Sequence, residues 1–283
     1  MKIKFNYLLI ILIFSLSGYS FAQSLSDETS FFFIQMTDPQ FGMHEENKGF
    51  EKESELYMKA VTEINRLKPD FVIITGDLVH DPDDEHQINE FKNLTGKIDP
   101  NIPVYIIPGN HDIGQAPGKE SLKKYEKNYG DDKFAFSHKG SLFIGMNTSL
   151  IKADLEKPEA KQFKWLKKQL KKGKSSTHIL VFGHYPFFIK SFDEAENYSN
   201  IQMKHRVKYL SLFEENEVDA IFSGHLHNNT QAEYEGIQLT ATSAVGKPLG
   251  KAPSGFRIIK VTDDQIEHTF YGLNEVPDQV VFD

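Results

Sequence analysis

No cysteine occurs anywhere in the 283 residues. That excludes disulfide staples, thiolate metal ligands and the lipid-bearing cysteine of a bacterial lipoprotein. It does not exclude an oxidising compartment, because a chain of this length can bury a sufficient core without cross-links. Positive charge is also scarce: 32 Lys and Arg stand against 40 Asp and Glu, a formal net charge of −8. General nucleic-acid binding needs a basic footprint, so no nucleic-acid surface is expected. Beyond the first 22 residues there is no long apolar run, no internal repeat and no low-complexity linker. No stable membrane span is therefore expected in the mature chain, and no seam divides it.

What is present points to a well-filled core. Hydrophobic residues make up 39%, and phenylalanine alone accounts for 23 positions, which excludes a disordered chain. The first 22 residues stand apart. Lys2 and Lys4 precede the apolar run "YLLIILIFSL", and the small residues Ser20 and Ala22 mark a cleavage point before Gln23. This is the pattern of a secretory signal peptide over 1–22, leaving a single domain over 23–283 and an exported protein, periplasmic or secreted. An uncleaved N-terminal anchor is the alternative.

Strands and helices then alternate. "FFFIQMT" (31–37) reads as a short strand. Leu56, Ala60, Ile64 and Leu67 mark one face of a helix that Pro69 ends. "DFVIITGD" is a buried-type strand, "EHQINEFKNLTGKI" a helix, and "PVYIIPGNHD" a further strand. A second series follows: strands at "KFAFSH" and "LFIGMN", a helix through "EAKQFKWLKKQLKKG", the strand "HILVFGHYP", the helix "HRVKYLSLFEEN" and the strand "DAIFSGHLH". The remainder reads as β-hairpins. The class is α/β, one domain of mixed sheets covered by helices.

Asp38, Asp77, Asn110, His184, His225 and His227 each lie just past the end of an apolar strand. Ligand sites of open α/β sheets form where loops leave the carboxyl ends of strands, so these side chains are expected to converge. Each alone has an ordinary explanation: an Asp after a strand is usually a turn residue. His225 and His227, two apart on an extended segment, would point the same way.

The stretches "DPQ" (38–40), "GD" (76–77), "GNHD" (109–112), "GH" (183–184) and "GHLH" (224–227), in that order, resemble the calcineurin-like metallophosphoesterase superfamily. The longer strings "DPQFG", "GDLVH", "GNHDIGQAP", "YGDDKFAF", "FSGHLHNN" and "SAVGKPLG…GFRI" resemble one branch of it, the serine/threonine phosphatase described as calcineurin-like phosphoesterase-domain-containing. The likeness runs from about residue 31 to 273. It implies a four-layer α/β/β/α sandwich of two mixed sheets flanked by helices. It also implies two divalent or mixed-valence metal ions, which offset the phosphoester's charge while a metal-bound hydroxide attacks. Oxygen and nitrogen ligands without sulfur suit iron or manganese, with zinc as the alternative.

Carried over position by position, Asp77 bridges both ions and is catalytic. Asp38, Gln40 and His227 complete one shell; Asn110, through its amide oxygen, His184 and His225 complete the other. His111 is implied as the general acid that protonates the leaving group. Asn110, His111 and Arg257 are candidates to hold the substrate phosphate, though for Arg257 a structural role is the favoured reading. Gly76, Gly109, Gly183 and Gly224 are expected to let the chain turn sharply.

Two positions depart from the wider superfamily. Gln40 stands where histidine is more usual; it is a weaker, neutral donor but a trait of the branch. His80 stands where many members carry an acid that orients the "GNH" histidine, so either Asp81 or another group must orient His111. His44, His86, His138, His178, His205 and His268 have no partner in the motif set and are expected to be structural. The lysine-rich segment "KWLKKQLKKGK" is expected to be an amphipathic helix packed on a sheet. The expected activity is phosphomonoester hydrolysis, on phosphoprotein or a small phosphate ester. A phosphodiesterase acting on cyclic nucleotides, lipids or nucleic-acid fragments is the runner-up. A non-catalytic metal-binding surface protein is the alternative of another class. Oligomeric state is not legible.

Overall fold

The structure, a computed structural model, describes residues 29–282, so the leader expected over 1–22 lies outside the described residues. The chain first builds β1 (Phe31–Met36), α1 (Glu51–Leu67), β2 (Val72–Thr75), α2 (Glu85–Thr95), β3 (Val104–Ile107), α3 (Asn110–Ile113) and α4 (Lys119–Tyr129). It continues through β4 (Phe134–His138), β5 (Ser141–Gly145), α5 (Thr148–Lys152), α6 (Glu156–Lys172), β6 (Ile179–Phe182), α7 (Met203–Glu214) and β7 (Ala220–Ser223). Two hairpins close it: β8 (Thr230–Tyr234) with β9 (Ile237–Ala241), and β10 (Gly255–Val261) with β11 (Ile266–Gly272).

These strands form two mixed sheets, ordered β11-β10-β1-β2-β3 and β4-β5-β6-β7-β9-β8. The inner strands β1, β2 and β3 run parallel, as do β5, β6, β7 and β9, whereas β10 returns antiparallel to β1. All parallel strands therefore aim their carboxyl ends at a common edge of their sheet, the usual place for a ligand site.

Three apolar layers hold the sandwich. Alternation along β1 sends Phe31 and Phe33 between the sheets, and Ile34 and Met36 outward onto the helices. Phenylalanines supply half of the buried residues of the middle layer. Phe33 stacks on Phe71 at 4.8 Å within its own sheet and meets Phe143 of the other sheet edge-on at 5.4 Å. Each such ring contributes roughly 1.5–3 kcal/mol by leaving water. Outside the first sheet, Tyr57, Ala60, Val61 and Ile64 of α1 pack with Ile88 and Phe91 of α2. Outside the second, Leu166 and Leu170 of α6 pack with Tyr209, Leu210 and Phe213 of α7. The result is the α/β/β/α sandwich.

Several local expectations shift. The buried stripe of α1 is centred on Tyr57 and Val61, with Leu56 and Leu67 at its margin. "GNHD" is not the end of a strand: β3 stops at Ile107, and Asn110 begins the single turn of α3. The polar sequence of α4, which buries only Tyr125, gave no periodic signal. The lysine-rich helix α6 does pack by its apolar side and leaves its lysines outward. Among the described residues, no helix is long and apolar enough to cross a membrane.

Candidate metal centre

Loops leaving β1, β2, β3, β6 and β7 bring the motif residues together at one edge of the sandwich. Asp77, His184 and His225 present ligand atoms within 4.8 Å of one another, and so do Asp38, Asp77 and His227. Asp77 belongs to both groups. Asn110 joins the first, its Oδ1 lying 3.2 Å from His184 Nε2. All of these side chains are buried, Asp38 and His184 completely.

Convergence requires unusual backbone. Asp38, Gln40, Asp77, His225 and His227 all have positive φ, between 40° and 67°. Left-handed non-glycine residues cost about 1–3 kcal/mol each and persist where surrounding structure holds them. This corrects the expectation for His225 and His227. They do not share an extended segment; two left-handed turns send them to different ligand groups. The glycines also have a different rationale from the expected one. Gly76 has φ +88°, but Gly109 does not turn left-handed. A Cβ on Gly109 would lie 2.1 Å from Asp77 Oδ1, so glycine is needed there for close approach.

Two of the three imidazoles, those of His184 and His227, are oriented from behind. His184 Nδ1 donates to Thr75 O at 2.8 Å, and His227 Nδ1 donates to Lys247 O at 2.6 Å. In the neutral ring this leaves the Nε2 lone pair directed inward. His184 Nε2 then faces Asp77 Oδ2 at 3.2 Å, and His227 Nε2 faces Asp38 Oδ1 at 3.3 Å. Lone pairs meeting carboxylates need a cation between them. Gln40 Oε1 and both ring nitrogens of His225 are likewise buried with no hydrogen-bond partner. Unpaired buried polar atoms are costly, and here they belong to the candidate ligands Asp38, Gln40 and His225. The residues fit two metal ions.

The electrostatics agree. Burial opposes ionisation of His184, but the Asp77 carboxylate overcomes it and raises His184 to about 9. Burial also opposes His227's charge, and Asp38 raises it in turn. Protons thus stand in for the positive charge that two buried carboxylates demand. Burial, and then the charge on His184, pushes His225 down to about 3, keeping it a neutral donor.

His111 is fixed by main chain. Its Nδ1 lies 3.0 Å from His80 O, and its N–H donates to Asp77 Oδ1 at 2.8 Å. This answers the question left by the missing acid: the carbonyl of His80 orients His111. The last residue of "GNHD" ties two loops together, Asp112 accepting from Gly109 N and Leu78 N at 2.8 Å each.

For Arg257 the favoured structural role holds and the candidacy for substrate phosphate is withdrawn. It is buried on β10, donating to Thr242 Oγ1 at 2.9 Å and Asn229 Oδ1 at 2.9 Å, with a third contact to His268 Nδ1 at 3.0 Å. Its guanidinium braces the segment after "GHLH" and is not available to a substrate phosphate. The apolar-strand context of "GFRI" buries it.

Sequence reasoning missed an aromatic rim. Tyr185 packs on His225 at 4.0 Å, and Tyr198 lies 4.9 Å from the same ring. Tyr198 is 56% exposed, yet its hydroxyl accepts from Gln115 Nε2 at 3.2 Å and Asn110 Nδ2 at 3.5 Å. Tyr185 and Gln115 sit inside or beside quoted motifs; Tyr198 comes from a polar loop with no signal.

The calcineurin-like phosphoesterase family pattern matches residues 33–229. A bovine protein named serine/threonine-protein phosphatase CPPED1 is 33% identical over 288 residues, covering 95% of this chain and 92% of its own. The human protein of that name is 34% identical, covering 89% and 87%. A protein of Arcobacter nitrofigilis named probable glycerophosphodiester phosphodiesterase GpdQ is 31% identical over 194 residues, covering 65% and 67%. Among solved structures, a dimetal phosphatase from Danio rerio shares the fold at TM-score 0.67 and 13% identity, covering 87% of this chain and 97% of that one. Family pattern, relatives and the converging acceptors agree that this chain belongs to the calcineurin-like phosphoesterase family, the metal-dependent hydrolases of phosphoesters.

Proposed function

We propose that this chain is an exported, dinuclear phosphomonoesterase. The observation that carries the reading is the set of buried acceptors without partners around Asp77, which is shared by both ligand groups. Asp38, Gln40, Asp77 and His227 would hold one ion, and Asp77, Asn110, His184 and His225 the other. Such a pair supplies charge neutralisation of the phosphoryl group and a water acidified enough to attack near neutral pH. The chain's own residues do the rest. Asn110 and the rim of Gln115 and Tyr198 position the ester. His111 donates Nδ1–H to His80 O, so its Nε2 faces the site and in the imidazolium form can deliver a proton to the departing oxygen. Export rests on the leader pattern of 1–22, which N-terminal sequencing of the mature chain tests.

The relatives' names favour phosphoserine or phosphothreonine in protein; export favours small phosphate esters. A diesterase is the second reading, favoured by the bacterial relative. Turnover of p-nitrophenyl phosphate against bis-p-nitrophenyl phosphate by the manganese- or iron-loaded chain decides between them. A monoester preference is the expected result, and a diester preference overturns it. Inactivity on both, with metal bound, would favour the non-catalytic binding protein.

The rim makes a separate demand. Tyr198→Ala removes one hydroxyl contact and one exposed ring, so KM for a phosphopeptide is expected to rise about 5-fold, equivalent to about 1 kcal/mol, with kcat little changed. Steady-state kinetics on a phosphoserine peptide checks this; a fall in kcat at constant KM would place Tyr198 in the chemistry instead.

A further inference from the structure

Gln40 carries two chemically different ends on one amide. Oε1 has lone pairs for a cation, whereas Nε2 has only hydrogens, and rotation of the amide exchanges them. Its Oε1 is buried without a partner, and its Nε2 lies 3.1 Å from His80 Nδ1. We propose that His80 is a positioning residue: its Nδ1 accepts from the Gln40 amide and thereby turns Oε1 toward the metal centre. The two departures from the superfamily pattern, Gln40 and His80, are then one paired exchange. The proposal rests on the reading of Gln40 as a ligand.

The surroundings of His80 are built for this. The loops after β1 and β2 run side by side through a short parallel bridge between Phe41 and Val79. Gln40 N donates to Asp77 O at 2.9 Å, and His80 N donates to Phe41 O at 3.0 Å, which sets the spacing of the two side chains. The buried Gln87 accepts from His80 N at 3.1 Å and Asp81 N at 2.9 Å. The His80 ring stacks on that of His111, centroids 4.7 Å apart and planes 19° from parallel. With main chain and ring plane both held, Nδ1 presents its lone pair at a fixed point. The amide that meets it must place hydrogen there and oxygen at the opposite side. Ligand orientation by a neighbouring hydrogen bond of this kind is worth about 10- to 100-fold in metal affinity.

Two substitutions separate the acceptor from the stack. His80→Phe keeps a ring against His111 and removes the acceptor. His80→Asn removes the ring and keeps an acceptor oxygen where Nδ1 lies. Manganese binding to the metal-free full chain is followed by calorimetry, with folding checked by circular dichroism. His80→Phe is expected to weaken one of two manganese sites by about 10- to 100-fold, while His80→Asn holds both within about threefold of the parent. Gln40→Ala should weaken the same site, and adding His80→Phe to it should weaken it no further. If His80→Phe binds manganese as the parent does, or if both His80 variants lose affinity equally, the positioning role is overturned while Gln40 stays a ligand. If Gln40→Ala leaves both sites unchanged, the ligand reading itself is overturned.

Discussion

Asp77→Asn is expected to leave a folded protein that has lost about three orders of magnitude or more of turnover, because several kcal/mol of charge stabilisation depend on the bound cations. The carboxylate serves two directions. Oδ1 accepts the His111 N–H at 2.8 Å, and Oδ2 faces His184 Nε2 at 3.2 Å. An asparagine must keep its oxygen toward the His111 N–H, since an amide nitrogen there would set donor against donor. Its Nδ2 then replaces Oδ2 and aims hydrogens into the space shared by both ligand groups. The variant is nearly isosteric, so the packing around it is preserved. The loss is chemical: one negative charge, and a carboxylate oxygen of the residue that belongs to both groups. Bound manganese, measured by elemental analysis after gel filtration, should fall with activity. A variant that kept both metals and full turnover would sink the dinuclear assignment.

His111→Asn has the second-largest expected effect, and it should depend on the leaving group. Removing a general acid costs about 10²–10⁴-fold when the departing oxygen needs a proton. A nitrophenolate leaves with little help, whereas a serine-like alkoxide does not. The loss in kcat should therefore be large on an alkyl phosphate and modest on p-nitrophenyl phosphate. Manganese content should be unchanged, because His111 belongs to neither ligand group. Equal losses on both substrates would show that His111 holds the phosphate without delivering a proton. The same variant also removes the ring that stacks on His80, so the metal content is the control that separates the two roles.

How far the sequence carries is visible in single residues. Asp38, Asp77, Asn110, His184, His225 and His227 were legible because each follows an apolar strand, and parallel strands end at one edge. Their residue types alone restrict the chemistry to oxygen and nitrogen ligands. Arg257 stayed among the phosphate candidates for a related reason. Its position near the motifs in sequence says nothing about side-chain direction, and on β10 it is buried in a hydrogen-bonded network. Tyr198 was invisible because a long polar loop has no period to read, and only folding lays it against His225.

The sequence by itself determined the layered α/β class, the ligand inventory and the order in which strands deliver it. Those follow from local alternation and from the chemistry of side chains, which need no partner to be recognised. Tertiary structure alone decided two things: that the His80 carbonyl orients His111, and that Gln40 and His80 meet. Each depends on loops from different strands approaching to hydrogen-bond distance. These contacts join residues 31 and 40 positions apart, and no local pattern encodes which nitrogen of a ring will face which oxygen.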